Sequence, residues 1–585
     1  MFITNIDRYR SVGRNLIVLT GDTAGMYHSP KLGDYGDLQQ VVTGELGDGF
    51  HVLSYDMNGV DFHDDESLEA VAGSMQRSMK NSETKKVDAF EQLERSILRR
   101  GKGKPLQEPD EMESANRLAV VIEKIERTDY FPLHSLALLR QMTELYSPSR
   151  SDASRKPLCI LVRDAALLFP CKSAGDLTNE QVHRLQAFLN WMRSDAFLKS
   201  RHLIILVSDT LTDLSNPILQ LPNEAHIEVP LPSAKERLAF IEYYLKNAEG
   251  PIGMETAELV RFSSGLPLAT MQDVLDEAIA AKKNVTAEAL TEAVNHELKK
   301  RLGDIVTFKR PAHGVGDVIA YEDILEVGRE ILTDCKNPAT ADSMVLFVGP
   351  NGGGKTYIAE ALANWSGRVV IELSKIRDSL FGGTEKFFEQ FRFVAESFDN
   401  LLVLMDEADA ALSDVNSSQS HEVERRLTGG ILGMASDKRY LGRLVWFLMT
   451  ARAERLSSDV ISRCGSVVPI FDLVGVGRRA FIKAIFERNG ITLKDEELEE
   501  LLKKTESFSN RDYDKLVRKA VARKCSPLQV LTRWSPGKAI RLRREYQEFL
   551  AADFSTYPHL VPERISSMKE EDRKERRAAM EFALS

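Results

Sequence analysis

Eight consecutive residues have the composition needed to close main chain around an anion: Gly349, Pro350, Asn351, Gly352, Gly353, Gly354, Lys355 and Thr356. Glycines let several N–H groups face a phosphate, and a helix opening at the end of the run adds its partial positive charge. Lys355 brings a cation to β- and γ-phosphates, and the Thr356 hydroxyl is placed for Mg²⁺. A second pair, Asp406 and Glu407, lies further along the chain. The first carboxylate holds Mg²⁺ and its waters, and the second orients or deprotonates an attacking water. Alone, either motif has an ordinary reading: a glycine-rich turn with a chance lysine, or a strand ending in a solvated acidic turn. Together they describe ATP hydrolysis.

Such residues need rigid elements behind them. Met344–Val348 is a short apolar run of strand character that leads straight into the glycine-rich loop. Tyr357–Asn364, just after it, has helical composition. Strand, G-x-x-x-x-G-K-T, helix is the context that makes the loop a phosphate site, with Tyr357 at its exit. Leu401–Met405 is a buried-strand run that delivers Asp406.

From about Val315 to Glu548 the motifs fall in an order that resembles the AAA clade of AAA+ ATPases. The resemblance implies an α/β fold, a parallel sheet flanked by helices and followed by a small helical lid. Leu380-Phe381-Gly382 resembles the family's first pore loop, which grips a polypeptide; a packed core phenylalanine is the other reading of Phe381. His421–Leu427 resembles the helix after the second pore loop. At the end of the apolar run Leu444–Met449 the family carries a polar sensor, usually asparagine. Here the residues are Thr450-Ala451-Arg452, so Thr450 substitutes or hydrolysis is slow or differently regulated. Arg463, in Asp459-Val-Ile-Ser-Arg463, matches the arginine that enters a neighbouring subunit's site; the family's second arginine is replaced by Ser466. Arg511, in Ser507–Tyr513, matches the lid's sensor arginine, with a salt-bridged surface arginine as the alternative. The implied cofactors are ATP and Mg²⁺. The implied partners are further copies of the chain in a homo-oligomeric ring, a hexamer, and a protein substrate. The alternative function is a slow ATP-dependent assembly switch or scaffold.

A shift of 242 residues (403 − 161) lays Leu161–Ala165 on Val403–Glu407. The same shift lays His202–Ser208 on Leu444–Thr450, Leu214-Ser215 on Leu456-Ser457, and Asp273–Ala278 on Lys515–Ala520. A domain-scale repeat is the simplest account. In this alignment Ala165 stands opposite Glu407, Leu221 opposite Arg463 and Ala269 opposite Arg511. Thr20–Gly25 resembles a P-loop opening, and matching Gly21 to Gly349 puts Tyr27 and His28 at the positions of Lys355 and Thr356. The first copy is therefore expected to have lost its chemistry. A degenerate module before an intact one is similar in architecture to the AAA ATPases encoded as an open reading frame in plastid genomes and widely in bacteria.

The expected organisation is a degenerate large subdomain at 1–245 and its helical lid at 246–300. An intact large subdomain follows at 301–475, its lid at 476–550, and a charged extension at 551–585. Polar stretches at 81–114, including the basic run Arg99–Lys104, and at 147–156 read as surface loops. Lys299–Asp317 reads as a linker. The composition of the 585 residues is ordinary, 43% hydrophobic and 28% charged. A net charge of −10 disfavours a protein that holds nucleic acid or anionic membrane by bulk electrostatics. No nucleic-acid module, secretory leader or apolar run of spanning length is recognisable. Five scattered cysteines suit a reducing compartment, and the expected location is the cytoplasm.

Overall fold

The computed structural model describes residues 2–72, 131–146, 156–173, 175–247, 253–374, 384–398, 400–412, 422–536 and 539–584. The chain divides into two compact units, Met1–Pro251 with Leu266–Lys283, and Ile252–Gly265 with Asn284–Ser585. The division thus runs through the 246–300 stretch.

In the first unit the strands are β1 (Leu16–Gly21), β2 (Met26–Ser29), β3 (Asp34–Asp37), β4 (His51–Tyr55), β5 (Val60–Phe62), β6 (Leu158–Val162), β7 (Leu203–Val207) and β8 (Glu224–Val229). Their main sheet runs β5-β4-β6-β7-β1-β8, parallel except for the β4–β5 hairpin, and β2–β3 form a separate antiparallel pair. The second unit has β9 (Val306–Lys309), β10 (Met344–Val348), β11 (Val369–Leu373), β12 (Leu401–Met405), β13 (Leu444–Thr450) and β14 (Ser466–Pro469). Their order is β14-β10-β13-β12-β11-β9, parallel except for β9. Ranked by chain position, the five parallel strands of each sheet stand in the same order. Strands β10, β12 and β13 are buried along their whole length. That explains their unbroken apolar runs, because a parallel strand covered by helices on both faces has no solvent side to alternate with.

The shared topology is accompanied by a correction to the repeat alignment. Strand register pairs Leu16 with Ile204 and Met344 with Trp446, so β1 lies on β10 with the offset of 328 (344 − 16) that places Gly21 on Gly349. Asp164 and Glu407 are both left-handed residues, at φ +48° and +49°, and each opens a one-turn helix. The offset there is 243 (407 − 164), one more than the sequence comparison used. Hence Arg163, not Asp164, stands at the Asp406 position, and Asp164, not Ala165, at the Glu407 position.

Two segments, the linker and the C-terminal extension, are more ordered than their composition suggests. Within Lys299–Asp317, β9 adds an antiparallel edge to the second sheet. Beyond residue 551, the Thr556 hydroxyl accepts from Val467 N (2.9 Å) and the Thr556 N–H donates to Val467 O (3.1 Å), covering the other edge. The helix Glu570–Leu584 then packs on Ala539–Phe554, with Met580 buried and Arg576 over the Phe549 ring. Helices between Gly475 and Leu531 form a smaller layer with its own core, including Ile482, Phe486, Leu501, Tyr513 and Leu516. Among the described residues no helix is long and apolar enough to cross a membrane.

Candidate ATP site

The loop after β10 and the tip of β12 meet in the second unit around a cavity of about 680 Å³. It is bordered by Asn351, Gly352, Gly354, Lys355, Thr356 and Tyr357 of the loop and helix, by Asp406 and Glu407, and by Thr450 and Arg511. A side chain at Gly349 would collide with the Ile470 carbonyl, so the loop leaves β10 at a place only glycine fits. Gly354, at φ +108°, turns the chain into the helix Lys355–Ser366 in a conformation L side chains avoid. Asn351 N–H donates to Gln547 Oε1 (3.0 Å), and Arg511 N–H to Gly352 O (3.3 Å).

Lys355 is buried, and its ammonium donates to the carbonyls of Gly349 (2.9 Å) and Pro350 (3.0 Å). Burial lowers its pKa to about 8. Thr356 Oγ1 donates to Asp406 Oδ2 (2.8 Å), so hydroxyl and carboxylate from two elements converge. Asp406 Oδ1 accepts from Glu407 N (2.8 Å), which fixes the turn at the strand end. Thr450, at the tip of β13, donates to Asp409 Oδ1 (2.7 Å) and accepts from Arg452 N (2.9 Å). The hard oxygens of Thr356 and Asp406 fit Mg²⁺, and the buried ammonium and the glycine-rich loop fit the phosphates of a nucleotide.

Three groups at the site had no signal in the local sequence. The Tyr321 hydroxyl donates to Gly353 O (2.8 Å), and Asn510 Nδ2 donates to the same oxygen (2.8 Å) and to Tyr321 OH (3.0 Å). Asp409 is the third acid of the Asp406–Asp409 stretch and borders the cavity. Tyr357 stacks on His313 with centroids 3.7 Å apart, and His313 Nε2 lies 2.8 Å from Tyr357 O. Arg463 does not border the cavity. It is exposed at the end of the helix Ser458–Arg463, bonded to Leu432 O (3.0 Å) and Ser436 Oγ. Leu380, Phe381 and Gly382 lie outside the described residues.

The corresponding place in the first unit has a different chemistry. After β1 the chain makes the β2–β3 hairpin, so Tyr27 and His28 stand in a strand rather than at a helix start. The helix that follows, Leu38–Leu46, is capped by Asp37, whose carboxylate accepts from Gln40 N (2.8 Å). That helix terminus already holds an anion of its own. Its second residue, Gln39, takes the place of Thr356 and accepts from Arg163 at the Asp406 position (3.2 Å); Arg163 also pairs with Asp56. A guanidinium thus stands where the second unit offers oxygens to a cation.

Residues 345–471 match the model of the ATPase family associated with various cellular activities (AAA). This stretch of the second unit is therefore similar to an AAA ATPase domain. Residues 6–230 match the family described as AAA+ chaperone, N-terminal Rossmann-like domain. Spastin of Anopheles gambiae is 27% identical over 207 residues, covering 34% of this chain and 24% of that protein. Spastin of Drosophila erecta is 25% identical over 292 residues, covering 48% and 35%. The chain therefore spans about a quarter to a third of the length of the curated relatives it matches. The matched stretch contains every cavity residue from Asn351 to Arg452, whereas Arg511 lies beyond it.

Proposed function

We propose that this chain hydrolyses ATP in its second unit, as one subunit of a homo-oligomeric ring, and uses the cycle to remodel a protein substrate. The observation that carries the reading is the convergence of Lys355, the Thr356–Asp406 pair and Glu407 on one cavity. The glycine N–H groups and Lys355 would hold the phosphates. Thr356 and Asp406 would hold Mg²⁺, which when bound neutralises charge on the phosphate oxygens. Glu407 accepts the proton of a water whose oxygen bonds to the γ-phosphorus as the bond to the β-phosphate bridging oxygen breaks, leaving ADP and phosphate.

Arg463 supports the oligomeric part. It is exposed, away from its own cavity and bonded to a carbonyl and a hydroxyl, as suits a group that serves a neighbouring copy. Six subunits and a substrate grip at Leu380-Phe381-Gly382 come from the resemblance. In this reading 301–475 and 476–550 are the large subdomain and lid of the working module, and Arg511 is the lid's phosphate sensor. Residues 1–245 and 246–300 are a copy that holds no nucleotide, and 551–585 is an extension. The free thiols suit the cytoplasm. ATP turnover that rises with an unfolded polypeptide and loses that response in Phe381→Ala is the expected result.

A second reading, a slow ATP-dependent assembly switch, is favoured by Ala451 and by the hydrogen bonds that already occupy the Thr450 hydroxyl. Near-zero turnover with ATP-dependent oligomerisation would select it.

A further inference from the structure

We infer that the Arg452 guanidinium is a catalytic group of this site, contacting the γ-phosphate from within the same subunit. The inference rests on the reading of the cavity as an ATP site. Strand register places the group. Val348 of β10 pairs with Thr450, so the chain leaving β13 emerges beside the loop that starts at Gly349. On the other side Met405 of β12 pairs with Leu448, so Asp406 and Glu407 leave their strand alongside. Arg452 therefore lies between the loop and the two carboxylates, and it borders the cavity with them.

The two residues before it, where the chain leaves β13, cannot do this work. Ala451 has no polar side-chain atom. The Thr450 hydroxyl gives its proton to Asp409 and accepts from Arg452 N, so it has no further proton to donate. That second bond also fixes the main chain of Arg452. Of the other cations bordering the cavity, Lys355 would meet the phosphates from its own loop, Arg511 would approach them from the lid, and Arg488 donates to Asp317 O (2.9 Å). Among the described residues the Arg452 side chain has no hydrogen bond and no ion pair; its charge reaches Glu454 only through space. A half-buried guanidinium beside a phosphate cavity, with its N–H fork unpartnered, is matched to the oxygens of a transferring phosphoryl group. Negative charge on those oxygens has to be met by fixed donors in the transition state, which gives Arg452 a role in turnover as well as in recognising the third phosphate.

The test uses the full chain with Arg452→Gln and Arg452→Lys, measuring steady-state ATP turnover and the affinities for ADP and ATP. Affinities for ATP are read in the Glu407→Gln background, where hydrolysis does not interfere. Arg452→Gln should slow turnover by about 10²-fold, as loss of one transition-state donor does. Its ADP affinity should stay within about twofold while preference for ATP over ADP shrinks, and Arg452→Lys should recover part of both. Wild-type turnover in Arg452→Gln overturns the inference. So does an equal loss of ADP and ATP affinity, or of thermal stability, because a purely structural arginine would act that way. If the unaltered chain neither binds nor hydrolyses ATP, the reading of the cavity itself falls, and this inference with it.

Discussion

Lys355 is held by two carbonyls of its own loop, and burial brings its pKa down to about 8. Phosphates favour the ammonium, so nucleotide binding above that pH must draw a proton from solution. The sign follows: affinity is full below about pH 8 and falls as pH rises through it. Between pH 7 and pH 9 titration calorimetry should show ATP affinity falling about tenfold, with proton uptake at the higher pH. An affinity flat over that range would mean the ammonium is not a phosphate ligand. The residues read most directly from the sequence were those on one contiguous run, from Gly349 to Thr356, and the adjacent acids Asp406 and Glu407. Tyr321 and Asn510 could not be read that way. Their shared acceptor, Gly353 O, is brought to them only by folding, and neither residue type signals it.

Among the elements, the strand that ends in a left-handed acid and a one-turn helix recurs in both units, at Asp164 and Glu407. Left-handed conformation at a non-glycine residue costs about 1–2 kcal/mol. Its presence at Asp164 shows that the turn forms without that chemistry beside it, since Arg163 and Gln39 stand where the second unit has Asp406 and Thr356. A single offset in the sequence hid this, because it drifts by a residue between strands: Arg163 and Ala165 each looked one place away from where the fold puts them. Among the described residues, the Asp37 cap and the Arg163 guanidinium leave neither an anion cradle nor a cation site at the corresponding place in the first unit. Calorimetry on the full chain should accordingly give one ATP per subunit, and a second tight nucleotide would contradict the reading. In the second unit Arg544, buried at 7% side-chain exposure, pairs with Asp472, whose pKa is pushed up by burial and pulled back by that arginine. Arg544→Leu should lower unfolding stability by about 3 kcal/mol, because it leaves a largely buried carboxylate unpaired. Adding Asp472→Asn should return part of it; a thermal melt unchanged by Arg544→Leu would show the pair to be idle.

For the molecule as a whole, the claim is that chemistry is confined to the second unit and completed by another subunit. Arg463 is the residue on which the second half of that claim depends. Arg463→Ala should bind ATP normally and hydrolyse it roughly 10³-fold more slowly. Mixed with Lys355→Ala chains it should regain turnover, because an intact cavity in one chain then meets an intact Arg463 from the other. Mixed assemblies that stay as inactive as their parents would remove Arg463 from any role in trans. The first half has a more direct test, the steady-state ATP turnover of Glu407→Gln beside the unaltered chain. Removing the proton acceptor while leaving Lys355, Thr356 and Asp406 in place should keep ATP bound and slow its hydrolysis by about 10²-fold or more. Hydrolysis at the unaltered rate in Glu407→Gln would contradict the assignment of this cavity as the place where ATP is cleaved.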